Sequence, residues 1–327
     1  MGVPLVDSFG RRVQDLRISI TDRCNFRCSY CMPREGLRWL PRPEILTFEE
    51  IERVTGIFVE RFGLSSVRIT GGEPTVRAHL PQLIERLAAF PVELSMTTNG
   101  ATLASLAPAL RQAGLHRVTV SCDSLRPDRF AEIAGRDMLE PVLAGIRAAV
   151  DSGLRPVKLN AVVVRGVNDD EVVDLAGFGR QSGVEVRYIE FMPLDATGQW
   201  SADKVVPSAE VIGRINEVYP LEPLSPGPEP AQRYRYLDGA GTVGVVASVT
   251  KPFCADCDRV RITAEGALRS CLFAVRETDL RAILRGGGTD DDLALAIASE
   301  VWHKWAGHSI GKVQFVRPAR SMSQIGG

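Results

Sequence analysis

Residues 23–31 read RCNFRCSYC, which sets Cys24, Cys28 and Cys31 in a C-x3-C-x2-C array. A second trio stands far along the chain, with Cys254 and Cys257 as C-x2-C and Cys271 after thirteen more residues. Seven cysteines in a chain whose first residues carry no secretory pattern read as reduced thiols. Clustered ones are then metal ligands or catalytic groups. A structural zinc site is closed by four ligands, and no fourth Cys or His lies near the first trio. A 4Fe–4S cube held by three thiolates leaves one iron open to a further ligand, which explains why the group stops at three. Zinc or redox thiols remain the alternatives for the first trio. For the second, the alternative is a zinc ribbon that borrows a fourth ligand. Two trios in one chain favour paired clusters. Cys122 stands alone and reads as a small buried hydrophobe.

The first trio follows a β-branched run, and such runs recur. Candidate strands are 17–21, 67–70, 93–98, 117–121, 157–164 and 184–192. Helical spacing fills the gaps between them. One helix opens on the capping box Thr47–Glu50 and continues through Ile51, Val54, Ile57 and Phe58. Six βα units in series predict a parallel sheet, either a partial TIM-like barrel or an open doubly wound sheet. No strand is followed by a dinucleotide fingerprint or a P-loop, which weakens the open nucleotide-binding folds. In a barrel, chemistry collects at the C-terminal strand ends, where the first trio lies. The pattern changes near residue 220. The proline-rich EPLSPGPEPAQ reads as a linker or long loop, so two regions are expected: residues 1–220 as the barrel, and 221–327 as an appended C-terminal region with the second trio and a helix around Leu293–Trp305.

Polar residues inside these strands fit either a solvated lumen or a site that awaits an anion. Lys158 sits in the apolar run VKLNAVVV, and a buried lysine is costly without a partner. Asn160 shares its strand face, as expected of a polar lumen. Arg17 and Arg68 belong to strands that would line the same barrel, and Arg259 and Arg261 flank Val260 beside the second trio. Guanidinium forks suit phosphate and purine acceptors, although any one of these arginines taken alone reads as a surface charge. Gly71-Gly72 at a strand end lets backbone approach a ligand.

The C-x3-C-x2-C array with Tyr30 before its last cysteine, and GGEP at Gly71–Pro74, resemble the radical S-adenosylmethionine (SAM) superfamily. Adding the second trio and the final Gly326-Gly327, nearly the whole chain is similar to the MoaA family, the GTP 3',8-cyclases of molybdenum cofactor biosynthesis. The resemblance implies a six-stranded partial barrel, an appended cluster-binding region and two 4Fe–4S clusters, on Cys24, Cys28 and Cys31 and on Cys254, Cys257 and Cys271. It implies that reductive cleavage of SAM yields a 5'-deoxyadenosyl radical, which takes the C3' hydrogen of GTP so that C3' bonds to guanine C8. It carries over Tyr30, Gly72, Ser121 and Met192 as SAM contacts. Without it, Ser121 reads as a strand-end hydrogen bond and Met192 as core packing. It carries over Arg17, Arg68, Thr97, Lys158, Arg259, Val260 and Arg261 as GTP contacts. Arg17 is also assigned to the closing reduction and protonation, and Gly326 and Gly327 to a tail that reaches the site.

The implied partners are GTP and an electron donor, with a homodimer and hand-off to the next molybdopterin enzyme as further expectations. A net charge of −1 argues against nucleic acid or an anionic membrane as partner. No apolar run is long enough to span a bilayer, and a cytoplasmic protein is expected. Two rivals stand: a radical SAM enzyme that modifies a peptide with auxiliary clusters, and a non-enzymatic iron–sulfur or zinc protein.

Overall fold

The computed structural model describes residues 2–33, 35–194, 198–225, 229–310, 315–318 and 320–326. Each expected strand forms within two residues of its expected bounds. These are β1 (Asp15–Ser19), β2 (Ser66–Thr70), β3 (Glu93–Thr98), β4 (Arg117–Ser121), β5 (Val157–Val163) and β6 (Glu185–Glu190). They pair in sequence order and in parallel, which makes the partial TIM-like barrel. Six shorter strands follow: β7 (Leu221–Pro223), β8 (Gln232–Tyr236), β9 (Thr242–Val246), β10 (Arg259–Ile262), β11 (Ala267–Arg269) and β12 (Thr278–Asp279).

The helices are α1 (Phe48–Gly56), α2 (Leu80–Ala88), α3 (Leu103–Gln112), α4 (Pro127–Ala134), α5 (Leu139–Asp151), α6 (Val172–Ser182), α7 (Ser208–Val218), α8 (Leu280–Arg285), α9 (Asp290–Trp302) and α10 (Met322–Ile325). The capping box forms as expected: Thr47 and Glu50 each accept the other's backbone N–H, at 3.2 and 2.8 Å. A cap of this kind is worth about 1 kcal/mol. Helix α9 ends at Trp302, three residues short of the expected end. The chain leaves the helix there, and Lys304 turns to the second cysteine trio.

Period-two alternation explains why this sheet curls around a polar interior. Leu16 and Ile18, Val67 and Ile69, Leu94 and Met96, Val118 and Val120, and Leu159 and Ala161 are buried in the hydrophobic core. The residues that alternate with them are Arg17, Arg68, Ser95, Thr119, Lys158 and Asn160. These line the lumen, where Arg68 Nη1 reaches Thr119 Oγ1 across the barrel at 3.3 Å.

Residues after 220 complete the sheet at both edges. β10 pairs in parallel with β1, aligning Arg261 with Arg17 and Arg259 with Asp15. β9 pairs in parallel with β6. The full order is β12-β11-β10-β1-β2-β3-β4-β5-β6-β9-β8-β7. The proline-rich stretch, expected as linker or loop, opens with β7 paired to β8. Among the described residues, no helix is long and apolar enough to cross a membrane.

Candidate active site

The loop after β1 carries the first trio and is pinned from three sides. Arg27 N–H and Ser29 N–H donate to Ala134 and Ile133 carbonyls, both at 2.9 Å, which fixes the loop on the end of α4. Cys31 N–H and Met32 N–H both donate to Cys28 O, at 2.9 and 3.0 Å, closing a tight turn. From the strand beside it, Gly72 N–H donates to Thr21 O at 2.7 Å and Glu73 N–H to Arg23 O at 2.8 Å. A Cβ at Gly72 would stand 2.4 Å from Arg23 O, so only glycine permits this approach. Glu73 is buried and accepts from Thr75 N, Thr98 Oγ1 and Asn99 N, at 3.0, 2.7 and 2.6 Å. It thereby ties GGEP to the TTNG turn, and Asn99 passes the link on to Asn25 at 2.7 Å.

Burial raises the thiols of this trio, to about 11 at Cys24 and about 12 at Cys31, with Cys24 and Asp123 adding to the rise at Cys31. Tyr30 Oη donates to Asp123 Oδ2 at 2.7 Å. Burial pushes Asp123 up to about 6, although Tyr30 and Val162 N–H both stabilise its charge. Ser29, Tyr30, Ile133, Val162, Asn168 and Phe191 line a small open cleft of about 90 Å³ beside the trio. Ser121 ends β4 opposite Asn160 of β5, and Met192 follows β6 part-buried. Cys122, expected to have no role, is buried, and its thiol contacts Ser124 O at 3.3 Å.

The second trio stands at the opposite end of the same strand pair. Cys254 and Cys257 precede β10, which runs parallel to β1, whereas the first trio follows β1. Cys271 comes just after β11, which runs back antiparallel to β10. A five-residue strand spans about 16 Å, so the two thiol groups face each other across roughly one strand length. The buried Lys304 donates to Cys257 O at 2.8 Å and Arg259 O at 2.7 Å, with Cys257 Sγ at 3.6 Å. Arg11 clamps the same turn through Cys254 O at 2.6 Å and Trp305 O at 2.5 Å, and is itself held by Asp7 at 2.5 Å. Burial would raise Cys257, but Arg259 and Lys304 outweigh it and bring the thiol down to about 7. Among the described residues, no three metal-ligating side chains converge where a single metal ion would sit.

Between the trios the lumen is cationic. Arg17, Arg68 and Arg261 occupy one row of neighbouring strands. Arg17 Nε, Arg68 Nε and Ser95 Oγ are buried with no hydrogen-bond partner among the described residues. Burial, with Arg17 beside it, pulls Arg68 down to about 9, still cationic at neutral pH. Thr97 aligns with Thr119, and Thr119 with Lys158. Burial and the adjacent Arg187 bring Lys158 down to about 8, against the opposing pull of Glu229. Val260 is fully buried in the strand between Arg259 and Arg261, and Arg259 stacks on Phe253 at 4.6 Å.

The tail enters this space. Gly326 has φ +84°, a Cβ there would meet Thr70 and Ser19, and its carbonyl accepts from Arg261. Ser323, one turn earlier, hydrogen-bonds Cys31. Gly327 lies outside the described residues. The described candidates lie at the barrel mouth, in the lumen strands or beside the second trio, but Val260, between Arg259 and Arg261, turns its side chain into the hydrophobic core, away from the lumen. The structure adds Arg187, Glu229, Lys304, Arg11 and Asp123.

The residues suit the groups that the chemistry needs. Three thiols sit on one loop that Gly72 and Glu73 hold from the neighbouring strand, and the lumen presents Arg68 Nε and Ser95 Oγ buried without partners, which suits a polar, anionic ligand.

Comparison with known proteins agrees with this geometry. Residues 18–179 match the radical SAM superfamily, and residues 184–310 match Molybdenum Cofactor Synthesis C. The chain is 47% identical to a GTP 3',8-cyclase of Mycolicibacterium smegmatis, over 99% of this chain and 92% of that one. It is 46% identical to one of Streptomyces coelicolor, over 99% and 96%. Among solved structures, Streptococcus suis SuiB bound to S-adenosylmethionine aligns with TM-score 0.59 at 16% identity, covering 88% of this chain and 68% of that one. Native anSMEcpe with bound AdoMet aligns at 0.58 and 14%, covering 88% and 80%. These two likenesses concern the fold alone. The chain belongs to the GTP 3',8-cyclase family of radical SAM enzymes.

Proposed function

We propose that GTP lies along the barrel lumen with its purine toward Cys254, Cys257 and Cys271, its ribose toward the first trio, and its phosphates on Lys158 and the lumen arginines. The observation that carries this is the row of buried cationic donors, with Arg68 Nε left without a partner among the described residues, between thiol trios at opposite strand ends. Cys24, Cys28 and Cys31 would hold a 4Fe–4S cluster that, with SAM, would supply the radical able to take the C3' hydrogen. Cys254, Cys257 and Cys271 would hold a second 4Fe–4S cluster at the purine end of the lumen.

The chain's own residues bind, orient and exclude water. The Gly72 cradle, Tyr30, Ser121 and Met192 seat SAM, and Asp123 fixes the Tyr30 ring through its hydroxyl. Arg17, Arg68, Thr97, Lys158, Arg259 and Arg261 hold the nucleotide. A planar guanidinium matches phosphate oxygens with paired donors. Fixing C3' and C8 within one bound nucleotide supplies the orientation that ring closure requires. Arg17 sits mid-lumen, 3.5 Å from Asp15, and holds a proton close to where the cyclised purine gains one electron and one proton. Gly326 caps the lumen from the tail, and its carbonyl orients Arg261.

The test is anaerobic incubation of reconstituted protein with SAM, dithionite and GTP deuterated at C3'. Mass analysis should find 5'-deoxyadenosine carrying the deuterium and a cyclised product one deuterium lighter. Deuterium retained in the product would overturn the assignment of C3' as the site of abstraction.

A further inference from the structure

The lumen cations farthest from the first trio are already answered by a carboxylate that no strand supplies. Glu229 takes Lys158 Nζ on both oxygens, at 2.8 and 3.1 Å. Arg187 Nη2 donates to the same carboxylate, and Arg117 Nη1 lies 3.9 Å away. Burial would raise this acid, but Arg187 and Lys158 outweigh it and hold it at about 2.

The comparison with Glu185, the other acid of this layer, is instructive. Glu185 begins β6, is 6% exposed at its side chain, and is held by Arg187 at 2.6 Å, Arg233 at 2.9 Å and Thr242 at 2.8 Å. It is built into the wall. Glu229 belongs to no helix or strand, and its side chain is 33% exposed. The only side chains that hold it among the described residues are the cations themselves. Swinging it away breaks no sheet hydrogen bond.

We propose that Glu229 is an internal stand-in for a phosphate: its carboxylate closes the Lys158–Arg187 pair in the free protein and is displaced when the nucleotide's polyphosphate arrives. The proposal rests on the reading of Lys158 as a phosphate contact. A carboxylate edge and a phosphate edge offer the same pair of anionic acceptors to these donors. The two anions cannot share the donors without like-charge repulsion. In the free protein the stand-in completes the neutralisation of two buried cations that would otherwise share the single charge of Glu185, at 2.6 Å from Arg187 and 3.9 Å from Lys158. On binding, a ligand must carry enough negative charge to win both cations back. Glu229 thereby becomes a specificity-determining residue: it favours the triphosphate over a nucleoside, because the nucleoside leaves the carboxylate where it is.

Glu229→Gln keeps the side chain's shape and removes its charge. Equilibrium binding of GTP and of guanosine to the anaerobically reconstituted protein, without reductant, reads the effect. The expected result is a Kd for GTP lower by about fivefold or more, because no anion competes for the site, with the Kd for guanosine unmoved. Glu229→Asp, which withdraws the charge on a shorter arm, gives a smaller gain in the same direction and stands in if the glutamine variant does not accumulate. Lys158→Ala tests the underlying reading and should weaken GTP by about tenfold. If Lys158→Ala leaves GTP affinity unchanged, the phosphate reading itself fails. If Lys158→Ala weakens GTP but Glu229→Gln leaves it unmoved, weakens it, or strengthens guanosine equally, the stand-in alone is overturned.

Discussion

Around Cys24, Cys28 and Cys31 the closest charges are mostly acids. Glu73 acts on Cys24, with Arg27 partly offsetting it, and Asp123 acts on Cys28 and Cys31. Around Cys257 they are Arg259 and Lys304, which take that thiol some four units below the about 11 of Cys24. An electron added to a thiolate-bound cluster adds negative charge, which acid surroundings oppose and cations favour. On the proposed reading, a centre in the acid surroundings of the first trio would give up an electron more readily than one beside Arg259 and Lys304.

The comparison can be broken first at the ligands. Cys28→Ala should abolish 5'-deoxyadenosine formation and cut bound iron from about eight to about four atoms per chain. Cys257→Ala should cause a similar loss of iron but leave SAM cleavage measurable, while the cyclised product falls by at least about tenfold. Cyclisation at the native rate in that variant would remove the second trio from the reaction. The cationic side is sharpened by Lys304→Met. That change should lower the midpoint potential of the C-terminal centre by on the order of 60 mV, where about 59 mV is tenfold for one electron, and leave the N-terminal centre unmoved in an electron paramagnetic resonance titration.

The acid side is sharpened by Asp123→Asn. Asp123 has a folded pKa of about 6, above the ordinary value of about 3.9. Between those values the folded state holds a proton that the unfolded chain has lost. Its contribution is therefore full below about pH 4 and is lost as pH rises through 6, by up to about 3 kcal/mol. In metal-free protein the asparagine variant should flatten that stretch of the stability–pH curve, and an unchanged slope would refute it. The smallest effect belongs to the tail, which touches both regions through Ser323 and Arg261. Deleting Gly326 and Gly327 should lower turnover while leaving the melting temperature within about 2 °C.

The features legible in the sequence were those written locally. The trios, GGEP, the capping box and six strands each lie within a short stretch of chain, at most the span from Cys254 to Cys271, and spacing or period-two alternation reveals them. Lys158 was legible because a cation interrupts an apolar strand. Arg187 offered the same signal in VEVRYIEFM and was passed over, since Glu185 two residues earlier makes that segment look like an ordinary charged strand. Lys304 and Glu229 were not legible, because their meaning lies in partners 47 and 71 residues away. Nor does any pattern in Arg259–Ile262 announce that it will lie beside β1. A short β-branched run specifies a strand, whereas its neighbour is chosen by the whole barrel.

That last pairing bears on how the chain comes into being. β1 emerges from the ribosome some 240 residues (259 − 19) before its second neighbour, β10. At ordinary synthesis speeds the wait is about 10 to 50 s. Through that interval the nascent barrel shows raw edges at β1 and β6, each able to recruit a stray strand from another polypeptide. Asp15 and Arg17 put charge along the first of these edges, the kind of residue that discourages such encounters. A chain stopped before residue 240 would keep both edges bare, and aggregation would be its expected fate.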